Sequence, residues 1–349
     1  MISYGSAALV IMSFCMGLLA TLLCRPLAKW TRMMNFPNPI VPQHIKPTPY
    51  LGGLAVAMGA VAGLFMMDAL ANISEIRSAT PMLLSKPTAL LAAGGAGFLI
   101  LGLLDDAVGL TPFVKLGIQF VLTIIILGLG WVLDGETGSL WLLALNAIWI
   151  VGIVNAVNFT DVCDGLVAGL CCIALGIIAL KGDTHTTLAL ALAGATVGFM
   201  IFNFPPASIF LGDAGSHFLG FTLAAMTMPT DILVSDRPFF GLLLLAVFIF
   251  ELIFITRMRV KKGLKWWRGS PDHFSLRMQA AGFSKTKTIV IAWTSAALFG
   301  AAALVTTTAL SVLLILCLMI GVVVLSYTVW RWLECHEVPT ANQKQEAST

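Results

Sequence analysis

The fold class this sequence predicts is all-α: a polytopic membrane protein of about eleven transmembrane helices, with its N-terminus outside and its C-terminus in the cytoplasm. Three observations predict it. Of 349 residues, 58% are hydrophobic and only 11% are charged, and the mean hydropathy of +0.95 lies far from that of soluble chains. Apolar runs of about 17 to 21 residues recur along the chain, each long enough as a helix to cross the hydrocarbon core. The basic residues between those runs then fall mostly on one side. The long apolar runs exclude disordered and fibrous classes, and a formal charge of +3, thinly spread, argues against nucleic-acid binding.

The first run, 6–24, has no basic residue ahead of it and no cleavage site of small residues, and Arg25, Lys29 and Arg32 follow it. It reads as a retained span and not as a signal peptide. Further spans are expected at 51–71, 88–104, 114–133, 139–157, 163–181, 186–203, 212–229, 237–256, 287–307 and 311–331. With the N-terminus outside, sixteen basic residues lie on the cytoplasmic side: Arg25, Lys29, Arg32, Lys46, Lys115, nine between Arg257 and Lys287, Arg331 and Lys344. Only Arg77, Lys86, Lys181 and Arg237 lie outside, which sets the orientation by the positive-inside rule. No repeat or linker divides the chain, so residues 1–336 are expected to form a single membrane domain and 337–349 a polar cytoplasmic tail. The seven cysteines mostly sit inside apolar runs without a CxxC pair, and read as packing residues.

Asp105, Asp106, Asp161, Asp164 and Asp213 all fall at cytoplasmic ends of spans, which the positive-inside rule does not require. The adjacent pair Asp105-Asp106, with Lys115 and Gln119 following, suits a divalent ion or a proton acceptor, because like charges that close need a cation or a raised pKa. A solvated turn capping two helices is the plainer alternative. Asn158, Asp161 and Asp164 recur every third residue, along one face if helical, and exceed what one helix end needs for capping. In Phe210-Leu211-Gly212-Asp213-Ala214-Gly215-Ser216, the glycines allow close backbone approach and Asp213 opens the next span, as in a phosphate-and-metal turn or an N-capped helix. His217, one turn on, is left outside the core site.

The connection from Arg257 to Lys287 attracts anions. Lys261, Lys262, Lys265, Trp266 and Trp267 read as topology determinants and interfacial anchors, whereas His273 and Arg277 are the better site candidates. Lys46 and the pair Gly52-Gly53 place a cation and a flexible backbone at the start of the second span. Together these groups form an inventory for holding Mg²⁺ and a pyrophosphate beside a lipid.

At these residues the chain resembles the polyprenyl-phosphate N-acetylhexosamine-1-phosphate transferase superfamily. The likeness runs from Lys46 to Phe283, carried by the aspartate pair with its Lys and Gln, the Asn155-to-Gly165 string and the Phe210-to-Ser216 string. The resemblance implies ten or eleven transmembrane helices, Mg²⁺ dependence with Mn²⁺ as a substitute ion, and a multi-pass cell-membrane enzyme whose site faces the cytoplasm. It also implies transfer of a hexosamine-1-phosphate, GlcNAc-1-phosphate in first place, from a UDP-N-acetylhexosamine to polyprenyl (undecaprenyl) phosphate with release of UMP, initiating a lipid-linked surface glycan. Asp213, with Asn158, resembles the family's metal-binding position. Asp105, Asp106, Asp161, Asp164, Lys115 and His273 match catalytic positions. Lys46, Asn158, Phe159 and Phe210 match positions near the substrates, Phe210 as a stacking platform for uracil, and Arg277, from the basic connection, is the further substrate-binding candidate. A homodimer is a further expectation.

Two departures stand out. Only His273 survives of the family's His-rich string, which bears on sugar recognition, and Val162 replaces a usual glycine. Phospho-N-acetylmuramoyl-pentapeptide transfer is the rival within the class. A transporter is the rival outside it, disfavoured because the ionisable groups lie at span ends and not at mid-membrane, Glu251 excepted.

Overall fold

The computed structural model describes residues 4–37, 46–73, 86–134, 139–228, 237–306 and 312–338. Arg77, Lys344 and the tail beyond residue 338, all part of the expectations above, lie outside them. The helices are α1 (Tyr4–Trp30), α2 (Gly52–Ile73), α3 (Lys86–Val108), α4 (Pro112–Asp134), α5 (Leu140–Thr160), α6 (Leu166–Lys181), α7 (Thr186–Asn203), α8 (Gly212–Met226), α9 (Arg237–Leu244), α10 (Ala246–Lys261), α11 (Phe274–Ala280), α12 (Lys285–Thr306) and α13 (Val312–Glu334).

Seven of the described helices are long and apolar enough to cross a membrane: α1, α2, α3, α4, α5, α7 and α12. The protein is an all-α polytopic membrane protein. The other four expected segments coincide with α6, α8, the α9–α10 pair and α13. One feature not anticipated is a two-residue antiparallel bridge, β1 (Met34–Asn35) with β2 (Thr48–Pro49), in the connection between α1 and α2. Helices α9 and α10 are nearly one rod, since the amide of Leu245 donates to Gly241 and that of Ile249 to Leu245 across the break.

Helix α8 occupies the centre, packed against α2, α3, α5 and α6, with twelve of its fifteen residues buried. Fifteen residues rise only about 22 Å, short of the hydrocarbon core of about 30 Å. The shortfall is tolerated because α8 is lined by protein and not by lipid. Around it, α1, α2 and α7 pack through small residues, Gly17 against Ala195 and Gly59 against Gly17, where a side chain would strike backbone. With no hydrophobic drive between helices in lipid, such close approach is what holds them together.

The described connecting residues 31–37, 46–51, 109–111, 161–165, 204–211 and 262–273 follow successive up-and-down helices and gather at one end of the bundle. They carry every residue of the expected site or lie next to it.

Candidate active site

Asp213 opens α8 immediately after Gly212, which holds φ at +76°. A side chain there would be strained and its Cβ would press on the Asp106 carboxylate. The glycine lets Asp106, from the end of α3, reach the first amides of α8. Its Oδ1 accepts from the Asp213 N–H at 2.9 Å and its Oδ2 from the Ala214 N–H at 3.0 Å. The unpaired amides and positive dipole end of a helix favour such a carboxylate. Asp106 thus takes the capping role, across helices, with both oxygens engaged.

Its neighbour Asp105 turns to Lys115, whose Nζ lies 2.6 Å from Asp105 Oδ2 and 2.8 Å from Asp213 Oδ2. The second Asp105 oxygen accepts from the Leu110 amide at 2.7 Å. Asn158 Nδ2 donates to Asp213 Oδ1 at 2.8 Å and to Ser216 Oγ at 3.0 Å. Four elements (α3, α4, α5 and α8) therefore meet on Asp213, whose side chain keeps 31% of its exposure while Asp105 keeps 7%. Asp213 is the more exposed of the two carboxylates that Lys115 joins.

Behind it runs a buried polar chain that the sequence reading left out of the site. His217 Nδ1 is 2.7 Å from the Asp213 carbonyl, so that nitrogen must be the donor. Its Nε2 then accepts from Gln119 Nε2 at 2.9 Å, and Gln119 Oε1 accepts from Asn155 Nδ2 at 2.7 Å. His217 supports the start of α8 through its backbone and does not touch the Asp213 carboxylate.

Asp161, just past α5, has no hydrogen-bond donor among the described residues, and burial followed by the charges of Asp213, Asp106 and Asp164 pushes its carboxyl well above the usual range. Tyr50, absent from the expected site, sits in the same field: burial, then Asp106, Asp213, Asp161 and Asp105, push its phenol up. No sequence signal marks it beyond its place beside Gly52-Gly53. That segment is clamped to the Asp213 loop by backbone pairing, Phe210 N–H to Pro49 O at 2.8 Å, Gly52 N–H to Phe210 O at 3.0 Å and Gly53 N–H to Leu211 O at 2.9 Å. Gly53 allows this, since a Cβ there would strike Gly215. Phe210 thus borders the cluster through its backbone, whereas Lys46 is exposed.

Asp164 is drawn outward instead, its Oδ2 2.9 Å from Lys285 Nζ and accepting from the Ala207 amide at 3.2 Å. It latches α12 and the 204–211 loop to the end of α5.

His273 and Arg277 belong to a second, separate network. His273 Nδ1 lies 2.6 Å from the buried Glu251 Oε1, and Glu251 Oε2 accepts from the Phe274 amide at 3.2 Å. Glu251, the one ionisable group at odds with the span-end pattern, is thereby an anchor for the loop. Arg277 is fully buried and pairs with Asp272 at 2.6 Å. Burial alone would raise the Asp272 carboxyl, but hydrogen bonds from Lys262 and Arg277 outweigh it and hold it below the usual range. The two networks touch at Phe159, whose ring lies 5.0 Å from the Arg259 guanidinium carbon.

Among the described residues no three His, Cys, Asp or Glu side chains converge as a ready-made ion cage; Lys115 occupies the space between Asp105 and Asp213. The donor chemistry nonetheless fits a hard divalent ion. Among the described residues, Asp105, Asp106, Asp161 and Asp213 face only Lys115 as a counter-charge, and no donor takes the lone pairs of Asp161.

Residues 88–230 match the family model described as glycosyl transferase family 4. A Bacillus subtilis protein named as a probable undecaprenyl-phosphate N-acetylglucosaminyl 1-phosphate transferase is 33% identical over 279 residues, 75% of this chain and 74% of the relative. A Mycobacterium tuberculosis decaprenyl-phosphate N-acetylglucosaminephosphotransferase is 30% identical over 303 residues, 74% of this chain and 72% of the relative. A phospho-N-acetylmuramoyl-pentapeptide-transferase of Lactobacillus acidophilus is 30% identical over 273 residues, 70% of this chain and 80% of the relative. The matched residues include the α3 aspartates, Lys115, Asn158 and Asp213, whose side chains the fold brings to one point. The chain belongs to glycosyl transferase family 4.

Proposed function

We propose that the protein transfers N-acetylglucosamine-1-phosphate from UDP-N-acetylglucosamine to a polyprenyl phosphate with release of UMP, starting a lipid-linked glycan. The observation that carries this is the meeting of Asp105, Lys115, Asn158 and Asp213 at one end of an apolar bundle, where a soluble nucleotide and a lipid phosphate have common access. The names of the relatives support the same reading. In the transfer, an oxygen of the lipid phosphate bonds to the sugar-bearing phosphorus, the bond from that phosphorus to the bridging oxygen breaks, and UMP leaves with the electron pair.

Asp213 and Asn158 would hold Mg²⁺, or Mn²⁺ in its place, with Asp161 beside them. When bound there, the ion supplies charge neutralisation of the pyrophosphate. Lys115 adds a positive charge from the protein itself, held by Asp105 so that it faces the transferring phosphoryl oxygens. Asp106 fixes the first turn of α8 and with it the direction of Asp213. The eleven crossings, the outside N-terminus and a cytoplasm-facing site in the cell membrane complete the proposal, supported by the asymmetry of the basic residues.

Purified protein given Mg²⁺, undecaprenyl phosphate and a panel of UDP-sugars tests the proposal through UMP release. Release with UDP-N-acetylglucosamine is expected. Use of UDP-N-acetylmuramoyl-pentapeptide alone would move the assignment to the peptidoglycan branch, and silence with every donor would overturn it.

A further inference from the structure

Arg277 heads the side chains wholly removed from solvent, and a buried guanidinium is costly unless acceptors surround it. Its Nη1 donates to the carbonyl of Leu333 at 2.9 Å and lies 3.4 Å from those of Glu334 and of His336. These are carbonyls at and just beyond the end of α13, where unpaired acceptors and the negative dipole end favour a cation. Its Nη2 donates to Asp272 Oδ1 at 2.6 Å. Lys262 reaches the same Asp272 oxygen at 2.8 Å and Glu337 at 3.5 Å, and Lys261 reaches Glu334 at 3.4 Å. The end of α13 is therefore tied to both ends of the 262–273 loop.

Besides the Glu251 anchor at His273, that loop has two attachments that flank the carboxylate cluster. Arg259 Nη1 donates to the Trp266 carbonyl at 2.9 Å while its guanidinium covers Phe159, the residue after Asn158. Trp267 meets Phe113 edge-on at 5.0 Å between centroids, two residues before Lys115. Contacts thus run from the carbonyls of α13 through Arg277, Asp272 and the loop to Phe159 and Phe113, which stand one and two residues along the chain from Asn158 and Lys115, the two residues that grip Asp213.

We propose that 333–337, at the end of α13, is a positioning element of the active site. Through Arg277 and Asp272 it fixes the 262–273 loop, and through that loop it fixes the rim beside Asn158 and Lys115. Arg277 is thus a positioning residue and makes no contact with substrate. Its kinetic test rests on the transferase reading, but its structural test does not.

Amide hydrogen exchange on the full-length protein in detergent gives the structural test. Arg277→Met is expected to speed exchange across 262–274 by about tenfold or more, and unchanged exchange there overturns the proposal. In the UMP-release assay the same variant is expected to raise the KM for the UDP-sugar about tenfold with kcat within about twofold. Adding Arg259→Met to Arg277→Met should cost little beyond Arg277→Met alone, because Arg259 lies on one branch of the path that Arg277 holds; losses that multiply overturn it. Arg277→Lys keeps the Asp272 pair but cannot span to the α13 carbonyls, so intermediate exchange and KM are expected, and wild-type values for both refute the clamp. Should Arg277→Met fail to fold, the lysine variant decides alone. A wild-type protein that releases no UMP sinks the transferase reading, while the exchange result still judges the clamp.

Discussion

Every polar group of Asp213 is in use: the amide caps onto Asp106, the carbonyl takes His217, and the two carboxylate oxygens take Asn158 and Lys115. Asp213→Asn keeps the size and both backbone bonds but removes the charge that Lys115 and a bound cation need. It should lower UMP release by at least about a hundredfold while the melting temperature in detergent stays near wild type; near-normal turnover would refute the assignment. Asp161 behaves in the opposite sense. Its folded-state pKa is raised, so the ionised form opposes folding, fully above that pKa and not at all below the unfolded value. Asp161→Asn should therefore raise the metal-free melting temperature by about 2 °C or more at neutral pH, with the gain shrinking as the pH falls. A variant that melts at or below wild type at neutral pH would mean that Asp161 has a donor after all.

At the level of elements, α8 shows how a short helix is held in a membrane. Asp106 satisfies its first amides from α3, so Asp106→Ala should cost about 2 kcal/mol of stability and reduce transfer even though Asp213 is intact. Thermal melting and UMP release on the same sample check both halves. The positions of α6 and α8 were legible because Leu166–Lys181 and Gly212–Met226 are apolar, but their shortness was not, since it depends on neighbours that shield them from lipid. The bridge of Met34–Asn35 with Thr48–Pro49 was likewise invisible, since each of its strands is only two residues long. The reading of Lys262 as a topology determinant missed its second role, because its partners Asp272 and Glu337 are brought to it only by the fold.

For the whole molecule, the distribution of basic residues predicts sidedness. A fluorescent-protein reporter fused after Thr349 should glow and an alkaline-phosphatase reporter at the same point should stay inactive, as a cytoplasmic C-terminus demands; the reverse pattern would invert the proposed orientation. The five span-end aspartates illustrate what such a reading can and cannot reach. That they share one face follows from alternation of crossings, which any sequence with regular spans imposes. That Asp105, Asp106 and Asp213 interlock while Asp164 leaves for Lys285 does not follow, since it turns on side-chain directions at four helix ends.

By itself, then, the amino-acid order determined that the chain lies in a bilayer, which ends of its helices carry charge and which family its motifs resemble, because hydropathy, span length and motif spacing are properties of contiguous residues. Only the tertiary structure decided that Lys115 bridges two aspartates, that Tyr50 stands in their field, and that the Arg277 guanidinium reaches the carbonyls at the end of α13. Each of those depends on residues far apart in the chain, joined where helices of unlike length converge, and no local pattern encodes that meeting.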